Sequence, residues 1–250
     1  MLNSNAIPDG GTLTQDARHG PLPLLLVVLT VVTGMVDAVS YLKLGHVFVA
    51  NMTGNVLFLG FAAADATQFS IAVSLVAMGS FLLGALAGGR LGSSTGQHRG
   101  RFIAFATYAQ VFVVGAALVV SVASSDVSDG ISAYALVVLL AFAMGLQNAA
   151  ARRLGVPDLT TTVLTLTFTG LAADSNFAGG TNPNIGRRLI ATAAMFIGAS
   201  LGAVLIFHVS VSAALAVAVA LLLVNAMAGY RLSSSTAAWT AAKGLKRGAS

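Results

Sequence analysis

One aspartate lies inside the first long apolar run of the chain, where an acidic side chain is expensive. Asp37 occupies Val-Thr-Gly-Met-Val-Asp-Ala-Val-Ser-Tyr and is the only ionisable side chain well inside the run Leu22–Leu42. An acid at membrane depth by default faces a bundle interior, a partner or a water-filled path. Asp37 therefore predicts a buried polar route, in which its carboxyl takes up a proton or a cation. The competing interpretation is structural, with Asp37 paired to Lys43 or to a helix start.

Neutral polar groups accumulate in two weakly apolar segments, Val47–Ala64 and Asp158–Ala173. The first contains Asn-Met-Thr-Gly-Asn, whose glycine permits an unusual turn, and the second is rich in threonine. Such groups can cap a half-helix that begins at membrane depth. In the structural alternative, the threonines bond to carbonyls one turn back and the asparagines join helices. We predict that the polar route is lined by Asp37, Asn51, Thr53, Gly54, Asn55, Gln147, Asn148, Thr165 and Thr167.

The composition is that of an integral membrane protein. Mean hydropathy is +0.87, 56% of residues are hydrophobic and 8% are charged. The sequence contains no cysteine and no glutamate, its four histidines lack metal-ligand spacing, and no nucleophile–base pair is recognisable. We therefore expect neither an enzyme nor a bound cofactor or metal. The cations lie between and beyond the apolar runs, which favours a role in topology over nucleic-acid binding.

Six apolar runs have the length of about 20 residues that crosses a bilayer as a helix. They are Leu22–Leu42, Phe69–Leu91, Phe102–Val122, Ile131–Ala151, Leu189–His208 and Val209–Ala228. The predicted fold class is an all-α polytopic membrane protein with six spans plus two short or re-entrant segments. We expect one membrane domain over 21–230, a disordered cytoplasmic tail over 1–20 and a basic cytoplasmic tail over 231–250.

The chain resembles itself at a nearly constant offset. Gly-Met-Val-Asp-Ala, ending at Ala38, aligns with Gly-Leu-Gln-Asn-Ala, ending at Ala149. The pairs Gly84/Gly88 and Gly198/Gly202 also correspond, and both match the small-residue pattern that lets helices approach closely. This order predicts two repeats, 22–122 and 131–230. We assign the glycine pairs to helix packing within the chain or in a homo-oligomer.

Charge distribution favours inverted repeats. Arginine and lysine near span ends accumulate on the cytoplasmic side. The segment Asp158–Ala173 decides whether the later cations share one side. Only if it enters the membrane and returns to the same side do all of them lie there, namely Arg152, Arg153, Arg187, Arg188 and the basic C-terminus. The same rule makes Val47–Ala64 re-entrant from outside and puts both termini inside. Eight spans with parallel repeats is the alternative.

The motifs resemble one bacterial family. The segments Gly34–Tyr41, Gly45–Asn55 and Gly145–Ala149, followed by the threonine-rich segment, are similar to the YoaK-type inner-membrane proteins, which carry a domain of unknown function. The resemblance covers roughly 22–230. It departs at Leu166, where a glycine is expected after Thr165. It implies a bacterial inner-membrane protein of about six spans and implies no substrate.

The polar route indicates the class of function. A transporter or channel for a small solute or ion is the leading hypothesis, because polar residues collect at predicted midplane depth within a duplicated architecture. A non-transporting scaffold or assembly protein is the alternative, for which the glycine patterns and basic tail suffice. A membrane-embedded enzyme is the third reading and has the least support. The half-helix starts favour an anionic or neutral solute, whereas an ionised Asp37 favours a cation, and the sequence leaves this conflict open.

Overall fold

Residues 18–241 are described by a computed structural model, apart from 96–97, 125, 129, 160, 163 and 182–183. The expected N-terminal tail therefore lies almost wholly outside the described residues. Regular structure in the described part of the chain is helical, and eight α-helices follow one another in this order: α1 Leu22–Lys43, α2 Met52–Ala63, α3 Ile71–Thr95, α4 Arg99–Ala123, α5 Gly130–Leu154, α6 Leu164–Ala173, α7 Ile185–His208 and α8 Val211–Leu232.

Six of these helices are long and apolar enough to cross a membrane, and two are not. Helix α2 has 12 residues and α6 has 10. At about 1.5 Å per residue, neither covers more than about 18 Å of a hydrocarbon core roughly 30 Å thick. The prediction of six spans and two short segments is confirmed.

Local chemistry accounts for several helix ends. Helix α1 has proline in its first turn, where no intrahelical amide bond is lost, and it ends just before Gly45 at φ 87°. Helix α8 is capped by Ser210, whose side chain accepts a hydrogen bond from the Ala213 amide at 3.0 Å. These signals place the breaks between the long helices.

Close parallel contacts through glycine join α1 to α7 and α3 to α5. A Cβ at Gly198 would collide with the carbonyl oxygen of Val31, and one at Gly84 would collide with that of Phe142. One turn further along each pair, Gly202 lies against Met35 and Gly88 lies against Leu146. Because the contacts advance in the same direction on both helices, each pair is parallel. All four glycines lie at these contacts.

Helices α4 and α8 are antiparallel. Gly229, late in α8, lies against Ala104, early in α4, whereas Ser212, early in α8, bonds at 2.8 Å to Ser121, late in α4. Between α4 and α8 the chain passes through α5, α6 and α7. If all three crossed the membrane, α8 would run parallel to α4. Because α8 is antiparallel to α4, and α5 and α7 are long enough to span, α6 must return to the side from which it entered. The parallel pairing of α1 with α7 then requires the same of α2. Helices α1, α4 and α7 consequently run in one direction through the bundle, and α3, α5 and α8 run in the other.

Most cations gather at one end of the bundle, which we call the arginine-rich face. The starts of α1, α4 and α7 and the ends of α3, α5 and α8 carry Arg18, Arg90, Arg99, Arg101, Arg152, Arg153, Arg187, Arg188 and Arg231. Among the described cations, Lys43 alone lies at the other end.

Residues from both ends of the described chain meet at this face. The Arg99 guanidinium donates to the carbonyl oxygens of Arg18 and Trp239, each at 3.3 Å, and to that of Leu154. The Trp239 ring packs on Gly20. The first part of the expected C-terminal tail is thus packed onto the bundle, while Lys243, Lys246 and Arg247 lie outside the described residues.

Replacing Gly198 with alanine is expected to destabilise the protein by about 1–3 kcal/mol, because the added methyl group forces α1 and α7 apart. A matched Gly79→Ala change, at a helical glycine with nothing within 4 Å of the added Cβ, is expected to be neutral or slightly stabilising. Thermal unfolding in detergent measures both. Equal melting temperatures for the two variants would contradict the close packing of α1 on α7.

Candidate functional site

A cavity of about 620 Å³ lies where the two short helices begin, beside α1 and α7. It is lined by Gly34, Asp37, Ala38, Tyr41, Leu42, Phe48, Asn51, Thr53, Gly54, Leu57, Thr162, Leu164, Thr165, Met195, Ala199 and Ala203. Along α1 the lining extends from Gly34 in the middle to Leu42 in the last turn, so the cavity reaches away from the arginine-rich face. Its volume is within the range of about 300–1,000 Å³ typical of small-molecule sites.

Asp37 holds the chain that leads into α2 and also faces the cavity. Its Oδ1 accepts hydrogen bonds from the amides of Val49 at 3.0 Å and Ala50 at 2.9 Å. Its other oxygen, Oδ2, has no partner among the described residues. The buried side-chain atoms that lack a partner there belong to Thr161 and Asn225, so Oδ2 is accessible. One oxygen of Asp37 is thus structural and the other is open to an occupant.

The five residues Asn51 to Asn55 divide into two groups. Asn51, Thr53 and Gly54 line the cavity. Asn55 is fully buried outside the lining, where its side chain accepts from the Phe48 amide at 2.9 Å and donates to the Phe48 carbonyl at 2.6 Å. Asn55 therefore satisfies both backbone groups of one loop residue.

In the second half of the chain, Asn148 holds the entry to α6 much as Asp37 holds the entry to α2. The Asn148 Oδ1 accepts from the Thr162 hydroxyl at 2.7 Å, and its amide donates to the Met144 carbonyl at 3.0 Å. Asn148 does not line the cavity, whereas Thr162 and Thr165 do. Thr167 is buried, and it too lies outside the lining.

Gln147 belongs to a different polar group, buried between α1, α4 and α5. It donates to the Thr33 hydroxyl at 2.7 Å and accepts from Gln110 at 2.8 Å, and all three side chains are at most 1% exposed. The group is closed on itself and does not line the cavity. Of the nine predicted site residues, five line the cavity, three bind helices or loops, and Thr167 is buried outside the lining.

Two features of the site were not anticipated from the sequence. The rings of Tyr41 and Phe48 stack in the cavity wall, with centroids 5.0 Å apart. Tyr41 follows Asp37 by four residues, and this helical spacing was the available signal. The second feature is an ion pair of 3.0 Å between Arg188 and Asp158. These residues are 30 positions apart in the sequence, and nothing in their spacing indicates that they pair.

Arg188 also bonds Asp174 at 2.8 Å, so one side chain of α7 ties down the loop before α6 and the residue after it. This network lies on the side of the cavity that faces the arginine-rich face. As for metals, no group of three or more His, Asp, Glu or Cys side chains is suitably close in the described part of the chain.

Replacing Asn55 with alanine is expected to lower the free energy of unfolding by about 2–5 kcal/mol, because two buried backbone groups of Phe48 lose their partners. Thr53→Ala is the control, since the Thr53 side chain is exposed to the cavity. Unfolding in detergent is the measurement. A small effect at Asn55 together with a large one at Thr53 would contradict this division of roles.

Known proteins with similar sequences belong to the family that the sequence motifs indicate. The model of a family described as "Protein of unknown function (DUF1275)" matches residues 25–228. The UPF0700 transmembrane protein YoaK of Bacillus subtilis (strain 168) is 34% identical over 151 residues, which are 60% of this chain and 65% of that protein. The match thus spans just under two thirds of that relative. No solved structure matches. The family resemblance is confirmed, and this multi-pass membrane protein belongs to the DUF1275 family.

Proposed function

We propose that this protein moves a small solute or ion across a bacterial inner membrane, as a transporter or channel, with the cavity as its binding site. The observation that carries the proposal is the open Oδ2 of Asp37 in a cavity of about 620 Å³ between the starts of two short helices. A cavity and an accessible carboxylate at membrane depth are costly for a structure that only has to be stable.

Irregular backbone supports the same function. Irregular backbone precedes both short helices, over residues 44–51 before α2 and over the described residues 155–159 and 161–162 before α6. Inside a membrane, such backbone is tolerated where it is buried in protein or lines a water-filled cavity. Transporters built from inverted repeats use interrupted helices of this kind at their binding sites. We infer that the two halves are inverted repeats, with Asp37 and Asn148 in equivalent positions.

Orientation follows from the charges. We propose that the arginine-rich face is cytoplasmic, since cations near span ends accumulate on that side. Residues 18 and 241 would then both lie on the cytoplasmic side. The cavity extends toward the opposite end, and the Arg188 network lies between it and the cytoplasm.

The alternatives are less well supported. A scaffold would account for the four glycines, but those glycines make contacts inside this chain and require no cavity. Catalysis would need a nucleophile or an acid–base pair beside the cavity, and its described lining offers a single carboxyl group. We therefore propose binding and passage without chemical conversion.

The test is solute release from proteoliposomes loaded with isotopically labelled small amines, amino acids, sugars, organic acids and inorganic ions, followed by mass spectrometry. We expect at least one solute class to leave about tenfold faster than from protein-free liposomes, and this release to fall in Asp37→Asn. Release of every class at the protein-free rate would contradict the proposal.

A further inference from the structure

We propose that the solute bound in this cavity carries an ammonium group, which pairs with Asp37 beside the rings of Tyr41 and Phe48. The inference rests on the proposed function, because it names the class of solute that the same site takes. It also addresses the conflict that the sequence leaves open between an anionic and a cationic occupant.

The charge of the cavity lining favours a cationic occupant. Among the 16 described lining residues, Asp37 is the only acid, and lysine, arginine and histidine are not represented. The other polar side chains of the lining are one tyrosine, one asparagine and three threonines, namely Tyr41, Asn51, Thr53, Thr162 and Thr165. In surroundings of low dielectric constant, an uncompensated carboxylate attracts a cation far more strongly than it would in water.

The geometry of Asp37 makes this attraction directional. Two backbone amides hold Oδ1 and thereby fix the plane of the carboxyl group, while Oδ2 remains open. A carboxylate that is already oriented loses little side-chain freedom when a cation binds. It therefore acts as a fixed anchor rather than as a mobile surface charge.

Aromatic rings flank this anchor. Tyr41 lies one helical turn after Asp37, and its ring stacks on Phe48 at an interplanar angle of 17°. Phe48 stacks in turn on Phe58 of α2, with centroids 5.6 Å apart. Ring faces attract ammonium groups within about 6 Å of the centroid. A carboxylate that shares a cavity with aromatic rings is thus a site for an alkylated or aryl amine.

The start of α6 also borders the cavity, whereas the start of α2 lies beside Asp37, whose Oδ1 binds the amide of Ala50. Each helix start carries about half a positive charge, which falls off within the first turn. Thr165 lies in the first turn of α6, so this part of the cavity suits an oxygen acceptor or a carboxylate. A zwitterion satisfies both preferences when its ammonium group pairs with Asp37 and its carboxylate faces the start of α6. The shared feature is the ammonium group, whether the solute is a simple amine or a zwitterion.

Four probes of nearly equal shape separate these possibilities. Choline is a cation and trimethylglycine is a zwitterion, while 3,3-dimethylbutanol and 3,3-dimethylbutanoate are their counterparts with carbon in place of nitrogen. Calorimetric titration of the detergent-purified full chain measures each affinity. We expect choline or trimethylglycine to bind at least about tenfold more tightly than its carbon counterpart.

The matched variants are Asp37→Asn and Asp65→Asn. Asp65 is exposed after α2, lies outside the cavity and has a positive φ that asparagine tolerates. We expect Asp37→Asn to abolish the preference for nitrogen over carbon while its melting temperature changes by at most about 4 °C, and Asp65→Asn to retain the preference. Equal binding of the nitrogen and carbon probes, tightest binding of 3,3-dimethylbutanoate, or an intact preference in Asp37→Asn would overturn the inference.

These results are separable from the test of transport. Release of sugars or organic acids alone would leave the proposed function standing and would contradict the ammonium inference. Ammonium binding that depends on Asp37, without release of any solute, would support the binding site and contradict transport.

Discussion

Replacing Asp37 with alanine is expected to destabilise the protein by about 2–6 kcal/mol, because the amides of Val49 and Ala50 both lose their acceptor. The loop that enters α2 is then no longer fixed, and the wall containing Phe48 and Asn51 loses its shape. Solute binding and release are expected to disappear together. Thermal unfolding in detergent and the release assay measure the two effects.

Asp37→Asn is expected to separate these effects. The amide oxygen of asparagine can still accept both backbone hydrogen bonds, and burying a neutral amide is less costly than burying a carboxylate. We therefore expect a stability change of roughly 1 kcal/mol or less, with a release rate lowered by at least about tenfold. If Asn and Ala at this position were equally stable and equally active, neither role of Asp37 would hold.

Replacing Arg188 with glutamine is expected to free α6 from α7. Asp158 and Asp174 both lose their cationic partner, and the cost is roughly 1–3 kcal/mol because the network is partly exposed. Since this network lies between the cavity and the arginine-rich face, access from that face is expected to increase. Labelling of a Thr165→Cys variant from that face is expected to rise about tenfold on that account.

Arg90→Gln is the control for the loss of one arginine from the same face, because Arg90 is exposed on α3. Arg188→Lys is expected to be intermediate, since a single ammonium group cannot reproduce the fork of a guanidinium between two carboxylates. Unchanged labelling in Arg188→Gln, or an equal increase in Arg90→Gln, would exclude a role for this network in access.

The architecture was predictable because it depends on signals that are local in sequence. The six spans follow from hydropathy, and the two short helices follow from the polar residues that weaken the runs Val47–Ala64 and Asp158–Ala173. The glycine pairs stand where helices touch, since absence of a side chain is the main requirement there. These features can be predicted from neighbouring residues alone, without knowing which distant residues they contact.

The roles of individual polar residues were less predictable, because they depend on partners that spacing does not reveal. Asn51 and Asn55 are one helical turn apart, yet one lines the cavity and the other binds the backbone of Phe48. Gln147 finds its partner Gln110 37 residues away. Polar type and membrane depth indicated that these side chains have partners, and only the tertiary arrangement distinguishes structural partners from an occupant.

Cysteine labelling from each face in turn measures whether the cavity opens to both sides of the membrane. The sequence contains no cysteine, so single Thr53→Cys and Thr165→Cys variants report on the cavity wall. Thr167→Cys, which is buried on α6, and Leu83→Cys, at an outward-facing residue of α3 that is 62% exposed, are the controls. The reagent is a small, membrane-impermeant methanethiosulfonate applied to one face at a time.

We expect both cavity positions to react at least about tenfold faster than both controls, and each to be reached from either face, since a path has to open to both sides. Reaction from a single face would indicate a binding pocket without passage. Rates no higher than those of the controls would show that water does not enter the cavity, and either of these results would contradict the proposed function.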